Sequence, residues 1–175
     1  MDFYLKRLQD AITSATEGLS AEELERHPEG KWCTAEILEH LYLTYTGTTK
    51  GFERCIANGQ PMARRPQVMD YLRKFVVIGM NHLPEGRKAP KNTVPKGMSA
   101  EQVRGQIAAA ITQMDGIIAQ AENKYGEQTP LLDHPIIGPL RGQEWRKFHW
   151  VHGNHHLKQI ARLCRGNECP LTFLK

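Results

Sequence analysis

The sequence predicts an all-α fold, four long helices and a shorter one packed as a bundle, on three observations. Apolar residues recur at helical spacing through most of the 175-residue chain, capping boxes and glycines punctuate those stretches, and no run alternates as a strand does. No internal repeat interrupts the pattern. The length fits one domain spanning residues 1–175, long enough to bury a core.

The first helix is predicted from about residue 2 to Gly18, with Phe3, Leu5, Leu8, Ala11, Ile12 and Ala15 in register. Ser20-Ala21-Glu22-Glu23 has the form of a capping box and opens one short extra turn. His27, in the His27-Pro28-Glu29-Gly30 break, reads as an exposed loop histidine. A long second helix follows with Thr34 as its expected cap, Ile37, Leu38, Leu41, Tyr45, Thr48 and Phe52 on its inner face and Asn58-Gly59-Gln60-Pro61 as its end. His40 lies at the edge of that face, and Glu36 is one turn earlier on the same side. A third helix is expected over residues 67–80, burying Val68, Tyr71, Leu72, Phe75, Val76 and Met80. Residues 81–98, with Pro84, Pro90 and Pro95, read as an extended basic connection of the kind that borders pockets.

Ser99-Ala100-Glu101-Gln102 is a second capping box and opens a fourth helix, residues 101–125, ended by Gly126. A turn-rich stretch from Asp133 to Leu140 precedes the last helix, which runs to about Cys164; the tail from Gly166 is unassigned. This last helix carries four of the eight histidines. His152 and His156 are four residues apart and project within roughly 40° of each other, so two imidazoles can reach one ion. Trp145, Phe148, Gln159 and Leu163 share their stripe. His149 lies on the same side but about 10 Å along the axis from His156, too far to ligate the same ion. If the second and last helices are neighbours, His40 can meet the His152/His156 pair inside the bundle.

Composition narrows the function. A net charge of +4, 40% hydrophobic residues and 24% charged residues describe a soluble chain, and its scattered cations read as solvated surface with no nucleic-acid partner. No run approaches a membrane span and no signal core opens the chain, so a cytoplasmic protein is expected. Four cysteines without a C-x-x-C pair read as reduced thiols. Phosphate loops, H-E-x-x-H and serine-nucleophile motifs are absent.

The segment Trp32-Cys33-Thr34-Ala35-Glu36-Ile37-Leu38-Glu39-His40-Leu41 resembles the W-x-x-x-E-x-L-x-H-L signature of the DinB/YfiT-like metalloenzyme superfamily. His134-Pro135-Ile136-Ile137-Gly138-Pro139-Leu140, Glu144-Trp145 and His152-Gly153-Asn154-His155-His156-Leu157-Lys158-Gln159 resemble the far end of one branch of it. The resemblance implies an up-down-down-up four-helix bundle and a three-histidine site, His40, His152 and His156, for zinc, nickel or a similar divalent ion, with His155 turned away. It also implies a homodimer, a small-molecule substrate and a thiol cosubstrate of low molecular weight, since the superfamily contains thiol S-transferases and isomerases. The sequence departs from the branch at Arg141-Gly142-Gln143, where a Thr or Ser cap and a Pro are usual; Gly142 is expected as a weaker cap.

Three imidazoles with an open fourth position are the arrangement of catalytic zinc. The expected function is therefore a metal-dependent S-transferase or hydrolase in which the ion activates a thiol or water; the alternative is a non-catalytic metal-binding or stress-response protein. Glu36 and Gln159 are candidates to orient the ligand imidazoles, and His149 to carry a proton.

Overall fold

A computed structural model describes residues 1–84 and 88–164. Among the described residues there are six α-helices: α1 (Phe3–Thr16), α2 (Ala21–Glu25), α3 (Thr34–Ala57), α4 (Val68–Lys74), α5 (Ala100–Tyr125) and α6 (Gly142–Cys164). The helix starts follow the side-chain chemistry. Asp2 caps α1 by accepting from the Tyr4 N–H at 2.8 Å, and both expected capping boxes close, Ser20 with Glu23 and Ser99 with Gln102. At α3 the cap is Cys33, one residue before the expected Thr34, because Glu36 reaches back to the Cys33 N–H at 2.9 Å. Gly126, at φ +93°, ends α5 as expected.

Helix directions follow from the contacts. The Tyr125 hydroxyl at the end of α5 donates to the Cys55 carbonyl near the end of α3, while Ala100 at its start packs with Cys33 and Ala35, so α3 and α5 run parallel. Arg146 in the first turns of α6 meets Asp115 and Glu122 of α5 at 2.7 Å each, so α6 runs against α5. Lys147 lies over Tyr4 and Arg7 over Trp150, making α1 and α6 parallel. The order is up-down-down-up, as the resemblance implied. The main core draws Leu5, Leu8 and Ile12 of α1, Leu38, Leu41 and Phe52 of α3, Ile111, Met114 and Ile118 of α5, and Val151, Leu157 and Ile160 of α6 into one cluster.

Three local features depart from expectation. The third helix is α-helical only over Val68–Lys74 and continues as a π turn, Phe75–Gly79. Of the side chains expected inside, Val68, Tyr71, Leu72, Phe75 and Met80 are exposed and Val76 is half-buried. The inner face is instead held by a polar anchor. Asp70 is buried, accepts from Arg64 at 2.7 and 2.8 Å and from the Gln67 N–H at 2.7 Å, and lies where a Cβ on Gly138 would come within 2.5 Å. The π turn then rotates Val77 and Ile78 inward.

The turn-rich stretch contains a small antiparallel hairpin, β1 (Leu132–His134) with β2 (Gly138–Leu140). His134 closes it: its Nδ1 accepts from the N–H groups of Ile136 and Ile137, both at 3.2 Å. Gly142 is not a cap but the first residue of α6. Arg141 precedes it, with Glu144 accepting from the Arg141 N–H at 2.9 Å. A Cβ at Gly142 would meet the Glu122 side chain within 2.2 Å, so glycine serves the close approach of α6 to α5.

Candidate metal centre

His40 sits in the second turn of α3, and His152 and His156 occupy successive turns of α6. Their three Nε2 atoms converge: His152 lies 3.3 Å from His40 and 3.1 Å from His156. All three residues are buried, and their ligand atoms lie within 4.8 Å of one another. The Trp32 ring leans on His40 at 5.3 Å, and Phe148 stacks on His152 at 5.5 Å with planes 9° apart.

The outer nitrogens decide the tautomers. His40 Nδ1 faces the Thr93 carbonyl at 2.8 Å; a carbonyl only accepts, so Nδ1 carries the proton and Nε2 offers a lone pair. His156 Nδ1 likewise donates to Gln159 Oε1 at 2.8 Å, while the Gln159 amide nitrogen lies 3.2 Å from His155 Nε2. Two lone pairs therefore point at His152 Nε2, which has at most one proton to share. Metal–nitrogen bonds of 2.0–2.1 Å in a tetrahedron place nitrogens about 3.3 Å apart, close to the two separations measured from His152. The group can hold a metal ion.

Burial keeps these imidazoles neutral. It lowers the pKa of His40, with the Thr93 carbonyl opposing, and puts His156 at about 3, with repulsion from His40 adding and Gln159 opposing. His152 falls well below the ordinary value through burial first and its histidine neighbours second. Neutral imidazole is the ligand form.

Among the residues expected near the centre, Gln159 reaches His156 and Glu36 does not reach His40. Glu36 is spent on the Cys33 N–H and lies 3.5 Å from His27, forming with His27 and Cys33 a second group whose donor atoms fall within 4.8 Å. His27 is exposed, as expected. His149 is completely buried between Tyr45 and Trp145, ring centroids 5.4 and 5.8 Å away. Among the described residues neither of its nitrogens has a side-chain or backbone partner, and burial takes its pKa to about 3. His155 contacts His156 ring to ring at 5.3 Å and stays outside the converging trio.

Two residues that sequence reasoning missed hold the centre's roof. Glu39 is buried, and its carboxylate accepts from the N–H groups of Lys96, Gly97 and Met98 at 2.7, 3.0 and 3.0 Å. This pins the connection between α4 and α5 onto α3, where Thr93 can meet His40. A glutamate directly before an inward histidine was the available signal for Glu39. Thr93 acts through its backbone and leaves no side-chain signal.

The model of a family described as a protein of unknown function, DUF1569, matches residues 1–162. The chain belongs to that family. The match takes in every residue described at this chain's centre, from Glu39 and His40 through Thr93 to Gln159. No curated protein and no solved structure matches the chain. Among the described residues of this DUF1569 chain, no helix is long and apolar enough to cross a membrane.

Proposed function

We propose that this DUF1569 chain is a DinB-like metal-dependent enzyme. His40, His152 and His156 would hold one divalent ion, zinc or nickel, and with that ion the site would make a thiol of low molecular weight or water available as a nucleophile towards a small electrophile, for S-transfer or hydrolysis. The observation that carries the reading is the convergence of three Nε2 atoms with two of the Nδ1 protons already committed outward. A bound ion of this class supplies a Lewis acid that makes a deprotonated nucleophile available near neutral pH.

The chain's own groups prepare the site for it. Thr93 and Gln159 orient two of the imidazoles, burial removes the proton that would compete at Nε2, and Trp32 and Phe148 keep bulk water off two ring faces. A homodimer is part of the same reading.

One observation favours a non-catalytic role beside this one: the three histidines are buried and join α3 to α6, which suits an ion that stabilises the bundle. Elemental analysis of protein purified without an affinity metal separates the outcomes. One divalent ion per chain, lost in His152→Ala, is expected; an unchanged content in the variant refutes the site. Turnover of thiol and electrophile panels that disappears on chelation supports the enzyme, whereas a large fall in thermal midpoint on chelation without any turnover supports the structural role.

A further inference from the structure

The apolar stripe of α4 points the wrong way for a helix serving its own chain's core. Val68, Tyr71, Leu72 and Phe75 stand at i, i+3, i+4 and i+7, the spacing of a buried helix face, yet they are 85, 61, 55 and 62% exposed. Met69 flanks the stripe, and Arg73 reaches the carbonyl of half-exposed Ile136 at the hairpin tip. The opposite face is already fixed by Asp70 and its partners, so α4 cannot roll to bury the stripe without breaking them.

We infer that this face is where two copies of the chain associate, α4 of one packed against α4 of the other across a two-fold axis. With full side-chain areas of roughly 150–250 Å², the exposed apolar surface of these residues and Ile136 comes to about 600 Å² per copy, or about 1,200 Å² over two, enough for a specific interface. A single ridge of Val, Tyr, Leu and Phe is its own complement, as an isologous contact requires. Of the cations beside the ridge, Arg64 is paired with Asp70 and Lys74 with Glu144 at 3.1 Å, while Arg73 donates to the Ile136 carbonyl at 3.4 Å and Arg65 is exposed. A helix that lies on anionic lipid keeps such cations unpaired, so the pairing of Arg64 and Lys74 favours a second copy.

The inference rests on the homodimer reading and adds its surface. Sedimentation equilibrium of the full chain tests both, with Leu72→Glu and Phe75→Glu as variants and Phe75→Ser as a milder one; the exposure of both positions leaves the monomer fold intact, which circular dichroism checks. The native chain is expected at twice 19.9 kDa, with the dimer dissociation constant raised at least about 30-fold in each Glu variant and less in Phe75→Ser. A native chain that is monomeric at every concentration overturns the dimer and its surface together. A dimer that survives both Glu variants unweakened overturns the surface alone. Co-sedimentation of a monomeric native chain with vesicles of phosphatidylcholine and phosphatidylglycerol, abolished by Leu72→Glu, gives the face to a membrane and also overturns the proposal.

Discussion

Glu39→Gln tests how the roof of the centre is held, with or without a metal. In the native chain each carboxylate oxygen is engaged, one by the Lys96 N–H and the other by those of Gly97 and Met98. The amide replaces one acceptor with a donor, so at least one backbone N–H is left facing an NH₂ group inside the protein. Losing a charge-assisted bond and stranding a buried donor together cost about 2–4 kcal/mol, a large part of the usual 5–15 kcal/mol of a domain. Urea unfolding of metal-free protein is expected to show that loss at unchanged m. Nitrogen chemical shifts should also show the His40 proton no longer confined to Nδ1, because Thr93 sits just upstream of the released segment. A loss below about 0.5 kcal/mol, with the His40 tautomer unaltered, refutes the reasoning.

The buried histidines make stability depend on pH. His149 titrates at about 3 in the folded chain against about 6.5 unfolded, so its contribution is complete above pH 6.5 and declines as pH falls towards 3. By pH 5 the decline is about 2 kcal/mol, and His134, at about 4, adds in the same direction. His149→Phe should flatten the change in unfolding free energy between pH 7 and 5, and an undiminished slope in that variant would count against it. Gly153→Ala probes the α1–α6 contact. The added Cβ would stand 2.2 Å from Cδ1 of fully buried Leu8, an overpacking cost of about 1–3 kcal/mol that Leu8→Ala in the same chain should partly relieve; strictly additive losses in the double-mutant cycle exclude that contact as the cause.

Much of the bundle was legible because its signals are local. The capping boxes at Ser20 and Ser99 and the i, i+4 pair His152/His156 need only neighbours in sequence to be read. The α4 stripe shows where that reading stops. Spacing reveals that one side of a helix is apolar, but not whether its own chain or another surface covers it, and Asp70 decides the orientation through partners at Arg64 and Gly138. The hairpin strands, three residues each, are too short to display an alternation. Glu36 was placed near His40 by wheel geometry, but a helix N-terminus competes for a carboxylate and won it. Thr93 contributes a carbonyl, which every residue has, so only the folded chain singles it out.

The parallel course of α3 and α5 has a further consequence. Two parallel neighbours cannot be joined by a tight turn; the chain must travel back along the full length of α3, about 36 Å at the helical rise, before α5 can begin. That return path is residues 58–99, and it carries α4, Thr93 and the segment clasped by Glu39. The bundle's topology thus places both the roof over the histidines and the exposed ridge on one connecting segment, tied to the core through Val77 and Ile78. A change within that segment acts at once on what reaches the centre and on what the surface meets.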